Sequence, residues 1–318
     1  MKVRVGIGIG EFPADARPWF DAVLDACERL NIDSIWLSQR LRDRYLSPFV
    51  AISYAAARTT RLKLGTSVVV LPGTNPVLMA EAMASIAVLA PRRFLPVFGL
   101  GPAYQQDRGA FPVSSRGRGH DFDESLVVVR RLLEAGGRTA SATDSAAASD
   151  AAESSGGGHS GIDIEAGRIR LSGFVLAPQP DPPLDLWVGG RAPAALRRAG
   201  RLADGWLGSG VPPSEAEAAV RLVQQAAAEA GRVVDPEHFG MTIPWTATPG
   251  GRDAFLAARR GGGPAPGGVP VGWQQLRELL DAYIAGGLSK FVVRPVEAGA
   301  HLLPWLDEFA AEVLPLQT

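Results

Sequence analysis

Short β-rich runs alternate with helix-period stretches along almost the whole 318-residue chain, and no other feature limits the fold so sharply. Eight runs read as strands, at 3–10, 34–39, 63–70, 94–101, 184–190, 205–209, 239–248 and 290–296. The stretches between and after them read as helices, at 16–30, 48–58, 76–89, 121–134, 193–202, 213–230, 273–285 and 301–313. Five of these start close to a proline, among them Pro48, Pro76, Pro193 and Pro213, which suits a first helical turn. Strands that alternate with helices are parallel and joined by right-handed crossovers, and eight such units close naturally into a (β/α)8 TIM barrel. A doubly wound open sheet is the main competing architecture.

The chain reads as one barrel domain over 1–318 with a low-complexity insertion after the fourth helix. Residues 138–161, RTASATDSAAASDAAESSGGGHSG, are too poor in large apolar groups to offset their ordering entropy, so a flexible surface loop is expected there. Residues 168–176 then alternate as in a small hairpin, and Pro178, Pro180, Pro182 and Pro183 lead into the fifth strand. A second glycine- and proline-rich stretch, 261–272, separates the seventh strand from its helix.

A formal net charge of −1 provides no broad field to gather the protein onto nucleic acid or anionic lipid. Cys27 is the only cysteine, which excludes an internal disulfide and a cysteine-built metal site and suits a reducing compartment. The N-terminus lacks the basic-then-apolar run of a signal peptide and no stretch approaches a membrane span, so a cytoplasmic protein is expected. Only three of the 32 basic residues are lysine, a bias that points to a GC-rich bacterial genome. The four histidines show no spacing that gathers metal ligands, and no GxSxG nucleophile pattern occurs.

In a barrel of this kind chemistry sits at the C-terminal strand ends, so the residues just after each strand are the candidates. Gly189 and Gly190 end the fifth strand, where the backbone can approach an anion and the following helix offers unpaired N–H groups; Arg191 adds a charge. A tight turn is the bland alternative for the paired glycines. Arg40, Arg42 and Arg44 form a basic run after the second strand, fit for an anion or for a solvated loop. Arg294 ends the eighth strand and points toward the mouth, where it would bind an anionic substrate, a cofactor phosphate or a neighbouring strand. Glu11, just past the first strand, would serve as a proton donor or acceptor if buried, or as a solvated loop carboxylate.

Residues 62–101, LKLGTSVVVLPGTNPVLMAEAMASIAVLAPRRFLPVFGLG, run strand, loop, helix, strand and resemble the luciferase-like superfamily. That group includes bacterial luciferase, alkanesulfonate monooxygenases and F420-dependent dehydrogenases and reductases. Gly99, Leu100 and Gly101 match its fourth-strand GxG. Thr66, Ser67 and Val68 resemble the F420-dependent branch, in which a bulged third strand carries a non-prolyl cis peptide behind the deazaflavin; the resemblance puts that bond at Ser67–Val68. Residues 186–210, LWVGGRAPAALRRAGRLADGWLGSG, resemble the family's phosphate site and ADGW turn, with Ser209 where a hydroxyl approaches the cofactor phosphate.

The second strand, DSIWLSQR, resembles the family's DSxWxSDH, with Gln39 in place of the acid and Arg40 in place of the histidine. In the sugar-phosphate dehydrogenases of that branch these two positions touch the deazaflavin; an amide cannot act as a base and an arginine stays protonated. Pro102 also stands where those enzymes carry a glutamate. The resemblance therefore implies an oxidoreductase that passes a hydride between F420 and a small organic substrate, with Glu11, Gln39 and Arg40 at the reacting centre. Two alternatives stay open. One is an FMN-dependent monooxygenase fed by a separate flavin reductase; the other is a cofactor-binding barrel without catalysis. Dimers are common among the relatives.

Overall fold

The computed structural model describes residues 1–102, 104–134, 161–259, 268–297 and 301–318. Apart from Gly161, the low-complexity stretch 138–161 lies outside the described residues, as does most of 261–272.

Twelve strands form in chain order: β1 Arg4–Ile9, β2 Ser34–Leu37, β3 Lys63–Thr66, β4 Val69–Val70, β5 Phe94–Leu95, β6 Val97–Gly99, β7 Ile162–Ala166, β8 Ile169–Phe174, β9 Trp187–Gly189, β10 Gly205–Ser209, β11 Phe239–Trp245 and β12 Lys290–Pro295. Ten of them make one curled parallel sheet in the order β4-β6-β9-β10-β11-β12-β1-β2-β3-β5. β7 and β8 form a separate antiparallel hairpin. It starts earlier than the alternation at 168–176 suggests, because Ile162 and Ile164 pair with Phe174 and Leu171.

Two stretches that read as single strands are each broken. Residues 63–70 divide into β3 and β4 at Ser67–Val68, whose peptide bond is cis, where the resemblance put it. Residues 94–101 divide at Pro96, which has no N–H to give the ladder. The halves remain in step: Leu64 pairs with Phe94 and Val69 with Phe98.

The helices are α1 Ala16–Arg29, α2 Pro48–Arg58, α3 Pro76–Leu89, α4 Arg118–Glu134, α5 Pro193–Leu202, α6 Pro213–Glu229, α7 Pro249–Arg259, α8 Gly272–Ala285 and α9 Leu302–Val313. α7 is absent from the sequence reading; its first turn holds Gly250 and Gly251, weak helix formers. Elsewhere the periodicity reports the packing. On α1, Trp19, Phe20, Val23, Leu24 and Cys27 face inward at helical spacing, and α3 is started by Asn75, whose side chain accepts from Val77 N at 2.9 Å.

The outer core lies between helices and sheet. A second apolar cluster fills the inside of the curl: Trp36, Val97, Trp187, Leu207 and Val292, with Val68 and Leu95 against it. Glycine makes room for the two tryptophans. A Cβ on Gly65 would stand 2.2 Å from the Trp36 ring, and one on Gly205 would stand 2.4 Å from the Trp187 ring. Among the described residues no helix is long and apolar enough to cross a membrane.

Candidate functional site

The C-terminal strand ends gather one set of polar groups above the tryptophan layer. Its floor is Val68. The Ser67–Val68 step turns this side chain inward between two glycines: a Cβ on Gly99 would lie 2.3 Å from Val68 Cγ2, and one on Gly189 would lie 3.0 Å from Val68 Cγ1. Gly99 and Gly189 are buried, so they shape the floor from below. Leu100 and Gly190 are exposed beyond them, and Gly101 is half-buried.

The segment around Val68 is stitched to the end of β2. Ser67 N donates to Leu37 O at 2.8 Å, Ser38 Oγ donates to Ser67 O at 2.8 Å, and Gln39 N donates to Val68 O at 3.1 Å. The Gln39 side chain completes the set, its Oε1 accepting from Val70 N at 2.7 Å. Gln39 is thus a positioning residue for the third strand. Thr66 is fully buried, and its hydroxyl donates to Val97 O at 3.0 Å and accepts from Val97 N at 2.7 Å. That hydroxyl is engaged in the wall next to the Pro96 break.

Beside Val68 along the sheet, β9 and β10 carry the second group. Gly190 has φ +119°, a conformation that favours glycine, and its carbonyl accepts from Trp206 Nε1 at 2.7 Å. Arg191 is exposed and reaches Gly210 O at 3.3 Å, which ties the two strand ends together. α5 begins at Pro193 with no side-chain cap, and the exposed Ser209 hydroxyl makes no hydrogen bond among the described residues. An exposed hydroxyl, a guanidinium and an uncapped helix start form a donor set fit for a phosphate.

The third group surrounds the ends of β1, β2 and β12. Arg40 Nη1 donates to the Tyr104 hydroxyl at 2.9 Å, and Arg294 Nη2 donates to the Tyr45 hydroxyl. Burial pulls the Arg294 pKa down while Tyr45 pushes it up; a guanidinium stays charged in either case. Glu11 is exposed and faces Arg44 at 4.0 Å, the geometry of a solvated ion pair. Arg42 donates to buried Asp107 at 2.6 Å, an interaction that raises the pKa of the arginine.

The fold therefore brings Gln39, Arg40, Ser67, Val68, Leu100, Gly101, Gly190, Arg191, Ser209 and Arg294 to one end of the sheet, with Glu11 at its rim. Ser38, Tyr45 and Tyr104 are the site residues that sequence reasoning passed over. Ser38 was findable from the alternation Ser34, Trp36, Ser38; the two tyrosines lie in loops without periodicity. His120, Asp121 and Glu124, at one turn of α4, have ligand-type atoms within 4.8 Å of one another, because helical geometry and not linear spacing brings them together. Arg116 stands among them, 3.3 Å from His120 and 3.7 Å from Glu124, and makes the group an ion-pair network.

Residues 20–260 of the sequence match a family model, "Luciferase-like monooxygenase". The chain belongs to that family. It is 25% identical over 258 residues to a phthiodiolone/phenolphthiodiolone dimycocerosates ketoreductase of Mycobacterium sp. (strain JLS), an alignment covering 72% of this chain and 62% of the relative. It is 26% identical over 189 residues to an F420-dependent glucose-6-phosphate dehydrogenase of Kineococcus radiotolerans, covering 57% of this chain and 49% of the relative. The chain spans about half the length of the curated relatives it matches. Among solved structures, an F420-dependent secondary alcohol dehydrogenase in complex with an F420-acetone adduct superposes with a TM-score of 0.76 at 16% identity, covering 100% of both chains. At that identity the likeness is one of fold.

Proposed function

We propose that this luciferase-like protein is an F420-dependent oxidoreductase built on a single (β/α)8 barrel. The barrel reading rests on the strand pairs. β3 meets β5 and β4 meets β6, so the two halves of the third strand lie beside the two halves of the fourth, and the remaining pairs run on through β9 to β12 and back to β1.

One observation carries the cofactor reading. Val68 forms an apolar floor beside an open rim where Gly190, Arg191 and Ser209 offer donors with no carboxylate bonded to them among the described residues. A flat ring would rest on the former while its phosphate met the latter. When bound, a deazaflavin supplies a hydride donor or acceptor at its C5 carbon. The chain's own part is to hold that floor through Ser38 and Gln39, to orient the phosphate through Arg191 and the start of α5, and to present the substrate to Arg40 and Arg294. Glu11 would have to leave Arg44 to handle a proton. The fluorescence and thermal stability of the purified protein, followed during titration with F420 and with FMN, test this. F420 should bind and raise the melting temperature with no comparable effect of FMN, and Gly190→Asp should weaken F420 binding by about tenfold or more by placing a negative charge where the phosphate belongs. Tight FMN binding without F420 binding would instead favour the monooxygenase reading that the family's description supports, with a reductase as partner. Binding of neither by a folded protein would leave the non-catalytic barrel.

The same proposal includes a homodimer. α3 is apolar on nearly every side, and Leu78, Val88 and Leu89 remain exposed on its outer face. An all-round apolar helix at a surface calls for a second covering layer. A cytoplasmic location agrees with the single buried thiol of Cys27.

A further inference from the structure

The mouth holds more positive charge than its own wall neutralises. Of the arginines after β2, Arg42 has Asp107 and Arg44 has Glu11. Arg40 and Arg294 meet no carboxylate among the described residues. Their contacts are phenols. Arg40 lies over the rings of Tyr45 and Tyr104, 5.0 and 5.4 Å from their centroids, and Arg294 lies 5.8 Å from the centroid of the same Tyr45. Arg40 Nε is buried with no hydrogen-bond partner, in a protein interior where such groups are normally paired.

Both guanidiniums are built into this position. Arg294 shares the inner face of β12 with Val292, and the glycines of β1 leave space for it: a Cβ on Gly8 would stand 3.1 Å from Arg294 Cβ, and one on Gly10 would stand 3.8 Å from Arg294 Nη2. Both guanidiniums pack against Tyr45, two neighbouring cations repel each other, and an anion reaching both would turn that repulsion into attraction while giving Arg40 Nε an acceptor. Guanidinium forks are planar and match a planar acceptor with two oxygens.

We propose that Arg40 and Arg294 form a carboxylate subsite, so that the substrate is a small organic acid. That the acid is a redox substrate rests on the oxidoreductase reading; the subsite itself does not. A carboxylate could also come from the glutamate tail of F420. Position favours the substrate, because β10 and β11 stand between β9, with its phosphate donors, and β12 in the sheet order.

Calorimetric titration of the full chain with formate, butyrate and benzoate, each against its amide, decides the matter. At least one acid should bind about tenfold more tightly than its amide. Arg40→Gln should abolish that preference, and Arg294→Met should do the same if it folds. Equal affinity for every acid and its amide would overturn the proposal. So would an Arg40→Gln protein that keeps the acid preference but binds F420 more weakly while binding the tail-less deazaflavin nucleoside normally, since the tail would then be the ligand. Should wild-type protein ignore F420 yet still discriminate acid from amide, the oxidoreductase reading falls and the subsite stands.

Discussion

Lys290 and Arg294 stand on the same face of β12, four residues and about 13 Å apart, and the protein treats the two cations in opposite ways. At the foot of the sheet, Lys290 Nζ donates to Asp33 at 2.5 Å, and Lys63 and Arg4 approach the same carboxylate at 3.5 and 4.0 Å. Burial alone would raise the Asp33 pKa, but Lys290 and Lys63 outweigh it and hold the carboxyl below its ordinary range. Burial also pulls Lys290 downward; with three cations around one anion, the ionised pair is the state that prevails. At the mouth, Arg294 finds a phenol and a second arginine. The foot is electrostatically closed and the mouth is left open. In the proposed barrel, strand N-termini would serve stability and strand C-termini chemistry.

That contrast can be broken by substitution at the two ends. Lys290→Met should lower the free energy of unfolding by about 3–5 kcal/mol, because it strips a buried carboxylate of its nearest partner. Arg294→Met should change stability by less than about 1 kcal/mol, since a methionine there relieves burial of an unpaired charge. Urea unfolding measures both, and equal losses would erase the distinction between the ends. Next in size is the floor of the mouth. Gly99→Ala forces Val68 off its seat and should cost about 1–3 kcal/mol through overpacking, along with most of the F420 affinity. A variant that unfolds and binds like wild type would remove Val68 from the account.

A further effect is acid-dependent. A carboxyl whose pKa is depressed on folding contributes stability that is present above its unfolded pKa of about 3.9 and is lost as pH falls through the lower folded value. Unfolding monitored from neutral pH downward should show that acid limb in the wild type. In Asp33→Asn the limb should flatten by about 1 kcal/mol or somewhat more. An unchanged limb would assign acid sensitivity to other carboxylates.

Much of this architecture was legible before the structure. The alternation of period-2 and period-3.6 stretches marked the strands and most of the helices, because burial on one face leaves a repeating trace in the order of residues. The two blocks with GLG and GGR fall at the C-terminal ends of β6 and β9, and the Ser67–Val68 step is where the family resemblance put it. The break at Pro96 and the helix α7 were less visible. Pro96 sits inside an apolar run whose hydrophobicity masks the missing N–H, and Gly250 and Gly251 are weak helix formers in the first turn of α7.

What the sequence determined by itself was the set of local preferences: which stretches pair, which coil, and where glycine allows backbone or side chain to come close. What only tertiary structure decided was who meets whom. Arg40, Tyr45, Tyr104 and Arg294 are brought together from separate units across a separation of up to 254 positions, and Gln39, a candidate for the reacting centre, accepts a hydrogen bond from Val70 N. Side-chain partnerships of that kind depend on the curl of the sheet and leave no periodic trace, since no local energy term couples residues so distant along the chain.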